Sequence, residues 1–372
     1  MIKYLGSKRR LVPVLARLCE AAGATTALDL FTGTTRVAQA FKELGVFVTA
    51  VDTARYSHVF AQCYVEIDAN AVDHDELGAA LGHLDGLPGT PGYVTEMFSR
   101  QARYFQEHNA ARIDAIRDAI EREYDGSVLY PILLTSLLEA ADRVDSTVGV
   151  QMAYVKQWAP RSARRMELRV PDLLAGKGRA VRGDAAQLTA AGRLGHVDLA
   201  YLDPPYNQHR YFTNYHVWET LVAWDAPEAY GVARKRVDAR DDPATRSIFN
   251  SKRTMPAALG DLVRAVDADL LVLSYNDEAW LELDQLEEIC RQGPAGARTV
   301  ATLAFDSARY VGARIGIYDP AGRKVGRIGH LSNRELLVIA GEEDVVRRVV
   351  DAVDGAVNTD EGRTGAPQAD RL

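Results

Sequence analysis

Residues 27–52 predict a strand, a glycine turn, a helix and a second strand in direct succession. The segment ALDLFTG (27–33) is apolar and breaks into a turn, RVAQAFKELG (36–45) reads as a helix with a glycine stop, and VFVTAVD (46–52) is apolar and ends in an acid. Strands joined through a helix in this way connect by a right-handed crossover, which makes them parallel neighbours. The segment therefore predicts an α/β fold built on a parallel sheet.

The rest of the chain divides into an α/β part and a helical part. Between 87 and 175 the apolar residues recur at helical spacing without strand-like alternation. Strand-type segments then resume at 180–185, 197–206, 270–276, 298–305 and 334–341, with helical stretches at 255–266 and 279–292. We expect a main domain formed by 1–86 and 176–345, a helical insertion at 87–175, and a C-terminal part at 346–372 with a helix end and a disordered tail.

Composition limits the environment of the protein. A chain of 372 residues buries about 75% of its unfolded surface, so it needs neither disulfides nor metal to fold. Cys19, Cys63 and Cys290 stand far apart and form no CxxC pair or Cys/His cluster, which favours a reducing cytoplasm and no metal site. No run approaches the ~20 apolar residues of a membrane span, and a net charge of −7 argues against non-specific coating of nucleic acid. We expect a soluble cytoplasmic protein.

Four acids stand at the ends of predicted strands: Asp29, Asp52, Asp184 and Asp203. In an open parallel sheet, ligands bind across the carboxyl ends of the strands, so these acids could line one crevice. Gly33 allows a ligand to approach the backbone, and Asp52 lies where an acid accepts the hydroxyls of a ribose. A single glycine in the turn supports a nucleoside without phosphates better than a dinucleotide. The alternative is an ordinary strand, helix and strand unit with solvated acids.

The run DLAYLDPPYN (198–207) carries the most specific chemistry. Two successive prolines end the strand and hold the preceding carbonyls in a defined direction. Asp203 and the carbonyl of Pro204 then form an acceptor array beside Pro205 and the aromatic ring of Tyr206. Such an array suits a planar base that bears an amine. The alternative is a strand followed by a Pro-Pro turn with a packed tyrosine.

Five segments in this order resemble the D12 class of adenine-specific DNA methyltransferases, which includes Dam-type enzymes and type IIS modification methylases. They are YLGSKRRLVP (4–13), DLFTGTTRVAQAF (29–41), VD (51–52), GDA (183–185) and DPPYNQHRYFTNYHVWETL (203–221). The resemblance covers about 1–60 and 180–345. It implies a Rossmann-like class I methyltransferase sheet that uses S-adenosylmethionine, with 1–86 and 176–345 as the catalytic domain and 87–175 as the target-recognition domain.

The resemblance, together with the strand-end turns, indicates a cofactor pocket. Its expected residues are Tyr4, Lys8, Asp29, Phe31, Gly33, Thr34, Asp52 and Asp184. The ring of Tyr4 would lie near the cofactor and the ammonium of Lys8 near its carboxylate. Asp52 would take the ribose hydroxyls and Asp184 would face the adenine amine of the cofactor. Thr35 stands where many members of the family have a second glycine, so the local backbone is expected to differ.

The same resemblance assigns the target-base pocket. Asp203 and the carbonyl of Pro204 would accept the two hydrogens of the target amine, and Tyr206 would stack on a base flipped out of the duplex. DNA contacts are expected from basic and aromatic residues in the insertion and after the catalytic strand: Arg161, Arg164, Arg165, Arg210, Tyr211, Lys252 and Arg253. The alternatives are solvated loops of mixed charge for the basic residues and packing for Tyr211.

The expected function is methyl transfer from S-adenosylmethionine to the exocyclic amine of adenine in double-stranded DNA. A restriction endonuclease or another defence protein is the expected partner. RNA or a protein amide is an alternative acceptor on the same scaffold. A catalytically silent DNA-binding module is a third possibility, against which the intact acids and the intact DPPY segment argue.

Overall fold

The computed structural model describes all residues except 1, 5–7, 153–156, 207, 209, 277–278, 295, 309–331, 361–368 and 372. The helices are α1 Val12–Ala22, α2 Arg36–Glu43, α3 Arg55–Ala61, α4 His74–Gly86, α5 Glu107–Tyr124, α6 Tyr130–Val144, α7 Ala185–Ala190, α8 Tyr211–Asn214, α9 His216–Ala223, α10 Asp238–Asp241, α11 Met255–Ala265, α12 Leu283–Arg291 and α13 Glu343–Asp360.

The strands are β1 Thr26–Leu30, β2 Phe47–Asp52, β3 Arg179–Arg182, β4 Val197–Leu202, β5 Ala229–Tyr230, β6 Lys235–Arg236, β7 Ala268–Asn276, β8 Gln292–Gly293, β9 Gly296–Ala297, β10 Thr299–Ala308, β11 Ser332–Gly341 and β12 Ala369–Arg371. Strands therefore form at each place where the sequence predicts one.

The chain forms two compact units. The first unit contains Met1–Ser7, Thr32–Asp184 and His209–Ser247, and the second contains Lys8–Phe31, Ala185–Gln208 and Ile248–Leu372. The boundary of the expected insertion at 87–175 is a functional assignment, and it stays a prediction.

The second unit holds strands in the order β12, β10, β11, β7, β4, β1. β4 runs parallel to both β1 and β7, whereas β11 runs antiparallel to β7 and β10. Helices connect the parallel strands, as the alternation in the sequence predicts, and this mixed sheet confirms the α/β, Rossmann-like class. The register pairs Asp29 with Tyr201, so the ends of β1 and β4 lie side by side.

Local signals explain where α1 begins and ends. Pro13 occupies its first turn, where a missing amide hydrogen costs nothing. Gly23 takes a left-handed φ of 71° after the last turn and donates its amide to the carbonyl of Glu20 at 2.9 Å. α13 packs along α1, and Arg348 donates to the carbonyl of Ala21 at 2.8 Å.

The first unit contains the parallel pair β2 and β3 and a helical core. Its buried apolar side chains come from α3, α4, α5, α6 and α9 and from the segment before α5. Asp114, buried in α5, accepts hydrogen bonds of 2.8 Å from the amides of Gly92, Val94 and Thr95. These bonds hold the start of the π-helical segment Thr95–Gln101 against α5.

Two expectations concern disorder in the C-terminal tail and segments that could cross a membrane. Ala369–Arg371, where disorder is expected, pairs as an antiparallel strand with β10, whose edge offers free backbone groups. The rest of the expected tail from 361 onward lies outside the described residues. Among the described residues, none of the helices has the length and apolar character needed to cross a bilayer.

Candidate active site

β4 brings the DPPY segment to the carboxyl end of the second unit's sheet. Asp203 follows Leu202 directly, and its amide donates to the carbonyl of Leu30 at 3.4 Å. This hydrogen bond joins β4 to β1 directly before the two prolines, which have no amide hydrogen to donate. Tyr206 packs its ring against Tyr275 at a centroid distance of 5.6 Å and an angle of 60°, so the aromatic residue is held by the neighbouring strand β7.

Lys8 lies beside Asp203. Its Nζ is 3.1 Å from Oδ1 of Asp203 and 3.1 Å from Oε2 of Glu335, and its side chain is only 6% exposed. The same Nζ lies 5.7 Å from the centroid of the Tyr206 ring, within the range of a cation–π contact. Lys8 is therefore a shared counter-ion of two carboxylates, and the expected contact with the cofactor carboxylate stays a prediction.

Burial and neighbouring charges shift the pKa values of Asp203 and Lys8. Burial raises the pKa of Asp203 to about 6, Lys8 opposes the rise and Glu335 adds to it. Burial lowers the pKa of Lys8, but the two carboxylates outweigh it and hold that pKa well above its ordinary value. At neutral pH Asp203 is thus ionised and an acceptor, with a proton affinity far above that of an exposed aspartate.

Glu335 is a site residue that sequence reasoning missed. It belongs to β11 and stands opposite Asn276 of β7 in the antiparallel register. Oε1 of Glu335 accepts a hydrogen bond of 3.1 Å from Nδ2 of Asn276. The available signal was an acid within the otherwise apolar run ELLVIAG (335–341). Asn276 is the last residue of β7, and its side-chain amide orients this acid.

In the first unit, Asp52 connects the glycine turn to the start of α3. Oδ2 accepts from the amide of Gly33 at 2.9 Å, and Oδ1 accepts from the amide of Ala54 at 2.9 Å. Burial raises the pKa of Asp52, and the hydrogen bonds from Ala54 and Gly33 oppose the rise. The amide of Thr53 and the hydroxyl of Ser57 also lower the pKa of Asp52, and its contact with ribose hydroxyls stays a prediction.

Glu219 of α9 completes the start of α3. Its Oε1 accepts from the amide of Arg55 at 2.7 Å, so Asp52 and Glu219 together satisfy amides that a helix leaves unpaired at its N-terminus. Burial raises the pKa of Glu219 to about 7. Sequence reasoning also missed this acid, because an acid in an apolar helix usually lies on its solvent face.

Tyr4 stands at the centre of an aromatic stack. Its ring lies 4.7 Å from that of Tyr215 and 5.4 Å from that of Tyr211, with interplanar angles of 15° and 18°. Its hydroxyl is 3.4 Å from that of Tyr56. A Cβ added at Gly33 would lie 3.1 Å from the Tyr4 ring, so the ring closes over the glycine turn. Tyr211, expected at DNA, packs in this stack.

The backbone of residues 31–35 is strained. Phe31 and Thr35 have φ of 67° and 61°, and Gly33 has 54°. A left-handed conformation costs a β-branched residue such as Thr35 about 1–2 kcal/mol. Thr35 therefore adopts a backbone conformation that glycine takes without steric cost, and its Oγ1 donates to the carbonyl of Thr34 at 2.7 Å.

The remaining predicted cofactor residues have defined positions. Asp29 is 1% exposed at the end of β1 and Thr34 is 5% exposed. Asp184 is half-buried, directly before α7. Phe31 packs edge to face on Phe249 at 5.3 Å. Their contacts with a cofactor stay predictions.

The basic residues expected to contact DNA differ in whether they already bind a partner within the protein. Arg161 is bound to Asp145 at 2.7 Å and to the carbonyl of Thr147, and Arg165 is bound to Asp85 at 3.0 Å. These two arginines already have structural partners. Arg164, Lys252 and Arg253 are exposed without an ion-pair partner in the described part of the chain, and Arg210 is half-buried.

Comparison with known proteins identifies the family. The model of D12 class N6 adenine-specific DNA methyltransferases matches residues 4–289, which is most of the chain. The chain is 28% identical over 309 residues to modification methylase StsI of Streptococcus sanguinis, covering 78% of this chain and 46% of that protein. It is 30% identical over 306 residues to type II methyltransferase M.NlaIII of Neisseria lactamica, covering 77% and 87%. This chain belongs to the D12 class N6 adenine-specific DNA methyltransferase family.

The chain spans about half the length of several matched proteins, with 46% of StsI and 47% of M.FokI of Planomicrobium okeanokoites. A solved putative S-adenosylmethionine-dependent methyltransferase from Streptococcus mutans is 11% identical, with a TM-score of 0.34, covering 91% of this chain and 50% of that one. The expectation that the chain is a D12 class methyltransferase is confirmed by the family match.

Proposed function

We propose that this protein transfers the methyl group of S-adenosylmethionine to the exocyclic amine of an adenine flipped out of double-stranded DNA. The observation that carries the proposal is the half-buried, ionised Asp203 at the end of β4, directly before two prolines and an aromatic ring. A carboxylate in that position is an acceptor for an amine hydrogen, and its surroundings raise its affinity for a proton.

Residues of the second unit bind the target adenine and prepare its amine for methylation. Asp203 and the carbonyl of Pro204 each accept one amine hydrogen, which favours a tetrahedral nitrogen with a localised lone pair. Tyr206 stacks on the flipped base and offsets part of its unstacking cost. The nitrogen lone pair forms the bond to the methyl carbon, and the proton that the nitrogen must lose passes to Asp203.

The first unit binds the methyl donor. S-adenosylmethionine supplies a sulfonium methyl group, whose bond to sulfur breaks with the electron pair passing to sulfur. Tyr4, Gly33 and Asp52 fit this role, since an aromatic ring, a close backbone and an acid acceptor are grouped there. The reaction uses positioning and electrostatics and no covalent enzyme intermediate.

We assign target recognition to the insertion at 87–175. Arg164 supports this role, because its exposed guanidinium has no ion-pair partner among the described residues and is available to phosphates. Relatives named as modification methylases and type II methyltransferases support pairing with a cognate restriction endonuclease. The buried free thiols Cys19, Cys63 and Cys290 support action in the cytoplasm.

The test is methyl transfer from labelled cofactor to plasmid DNA, to total RNA and to a protein extract in parallel reactions. The proposal expects label in DNA, with Asp203→Asn inactive and Asp261→Asn, at an exposed acid of α11, active. Label in RNA or protein alone would refute DNA as the acceptor. Full activity of Asp203→Asn would refute the role of the β4 end.

A further inference from the structure

The cluster formed by Asp203, Lys8, Glu335 and Asn276 contains more charge than a single acceptor needs. Two carboxylates share one ammonium, each at 3.1 Å, so the cluster carries a net charge of −1 when both acids are ionised. An isolated pair of Lys8 and Asp203 would be neutral. The additional carboxylate is held in place by Asn276, which indicates a fixed arrangement rather than a mobile surface acid.

Backbone hydrogen bonds and strand pairing fix the positions of the residues in this cluster. Lys8 lies just before α1, where its carbonyl accepts from the amides of Leu11 at 2.7 Å and Val12 at 3.0 Å. Glu335 and Asn276 are directly opposite residues of adjacent antiparallel strands, and such residues project to the same face of a sheet. The side chain of Glu335 is 15% exposed and that of Asp203 is 20% exposed.

We infer that Glu335 is a positioning residue: it shares the Lys8 ammonium with Asp203, so that Asp203 keeps an unneutralised charge for the target amine. The inference rests on the proposed function, in which Asp203 accepts the amine hydrogen and then the proton. When the proton moves from nitrogen to Asp203, the cluster changes from −1 to neutral. Lys8 then still has Glu335 as its counter-ion, so no buried ammonium is left unpaired.

The charges that surround the cluster support this reading. Asp203 faces the ammonium of Lys8 and the carboxylate of Glu335, and Lys8 faces in addition the hydroxyls of Tyr206 and Tyr201. Burial raises the pKa of Tyr206 to about 12, so this phenol stays neutral near pH 7. Burial is the main cause of the raised pKa of Asp203, and the negative charge of Glu335 raises that pKa further.

The experiment compares wild type with Glu335→Gln, which removes the charge and keeps the shape. Without the negative charge, the pKa of Asp203 falls by about one unit. The acid limb of kcat/KM against pH moves to lower pH by the same amount. Above that limb kcat falls by up to about tenfold, because a proton acceptor of lower pKa supplies less driving force for the transfer. Affinity for the cofactor by calorimetry stays within about twofold.

A matched control removes a charge nearby without touching the cluster. Glu342→Gln changes an exposed acid directly after β11 and should leave the pH profile and kcat unchanged. Glu335→Asp keeps the charge and withdraws it by one methylene, so its profile should lie between those of wild type and Glu335→Gln. This variant also serves if Glu335→Gln does not fold.

A second readout does not depend on activity. Carboxyl carbon resonances of aspartate, followed by NMR as a function of pH and assigned by the Asp203→Asn variant, report the pKa of Asp203 directly. A lower pKa in Glu335→Gln supports the inference even if the protein methylates a different acceptor. An unchanged pKa of Asp203 together with an unchanged pH profile would overturn the inference and leave the proposed function intact.

Discussion

Replacing Lys8 with methionine leaves Asp203 and Glu335 buried without their counter-ion. Each carboxylate lies 3.1 Å from the ammonium, which corresponds to an attraction of about 5 kcal/mol at an effective dielectric constant of about 20. The cost of burying the ammonium itself cancels much of the combined attraction, and removing one partner of a buried charge cluster costs about 3–5 kcal/mol. We expect Lys8→Met to lose that much unfolding free energy at pH 8.

The unfolding free energy lost in Lys8→Met should be larger at high pH than at low pH. The pKa of Asp203 is already raised to about 6 by burial in the presence of Lys8, and removal of the cation raises it further. A carboxyl with a folded-state pKa above its unfolded value is most stabilising below the unfolded value, about 4, and loses that contribution as pH rises. The deficit of Lys8→Met relative to wild type should therefore be largest at pH 8 and fall by at least half near pH 4.5.

The assay is urea unfolding followed by tryptophan fluorescence for both proteins at pH 8 and pH 4.5. Lys252→Met is the control, since it removes an exposed lysine of the same unit and should shift neither midpoint. A deficit of equal size at both pH values would refute the reasoning, because the lost stability could not then come from unpaired carboxylates. A wild-type midpoint at pH 8 for Lys8→Met would refute it equally.

Four further variants test binding and stability. Asp52→Ala should weaken binding of S-adenosylmethionine about 10–100-fold by calorimetry, as expected for loss of a charged acceptor, and unchanged affinity would contradict the ribose role. Tyr206→Ala should raise KM for DNA, since stacking contributes about 1–3 kcal/mol per base; an unchanged KM and kcat would exclude stacking. Arg164→Ala should lower the slope of log affinity against log salt by about 0.9 for one phosphate. Arg161→Ala breaks the ion pair to Asp145 and should instead lower the urea midpoint. If Arg161→Ala lowered the salt slope and Arg164→Ala lowered the urea midpoint, Arg161 would be the phosphate contact and Arg164 the structural residue.

The elements of the fold could be read from the sequence because their signals are local. The apolar runs of β1, β2 and β4, the glycine stop after α2 and the Pro-Pro break after β4 depend on adjacent residues only. The acids at the strand ends follow from the same positions, since a strand that ends at 202 places residue 203 at the edge of the sheet.

The partners of the site residues could not be read in this way. Lys8 and Glu335 are separated by 327 positions, and their contact depends on the packing of α1 and on the register of β11. The sequence also could not show that Arg161 is held in an ion pair instead of being free to contact DNA, because its partner Asp145 follows α6 and is buried by tertiary packing. Thr35 shows the opposite case, where tertiary structure imposes a left-handed backbone that the residue type disfavours.

The most direct measurement of the central claim is nucleoside analysis of double-stranded DNA after incubation with the protein and S-adenosylmethionine. We predict N6-methyl-2′-deoxyadenosine in the wild-type reaction and a loss of about 10²–10⁴-fold in its rate of formation with Asp203→Asn, the contribution typical of a proton acceptor. Methylated deoxycytidine in place of N6-methyl-2′-deoxyadenosine, or equal yields from wild type and Asp203→Asn, would contradict this prediction.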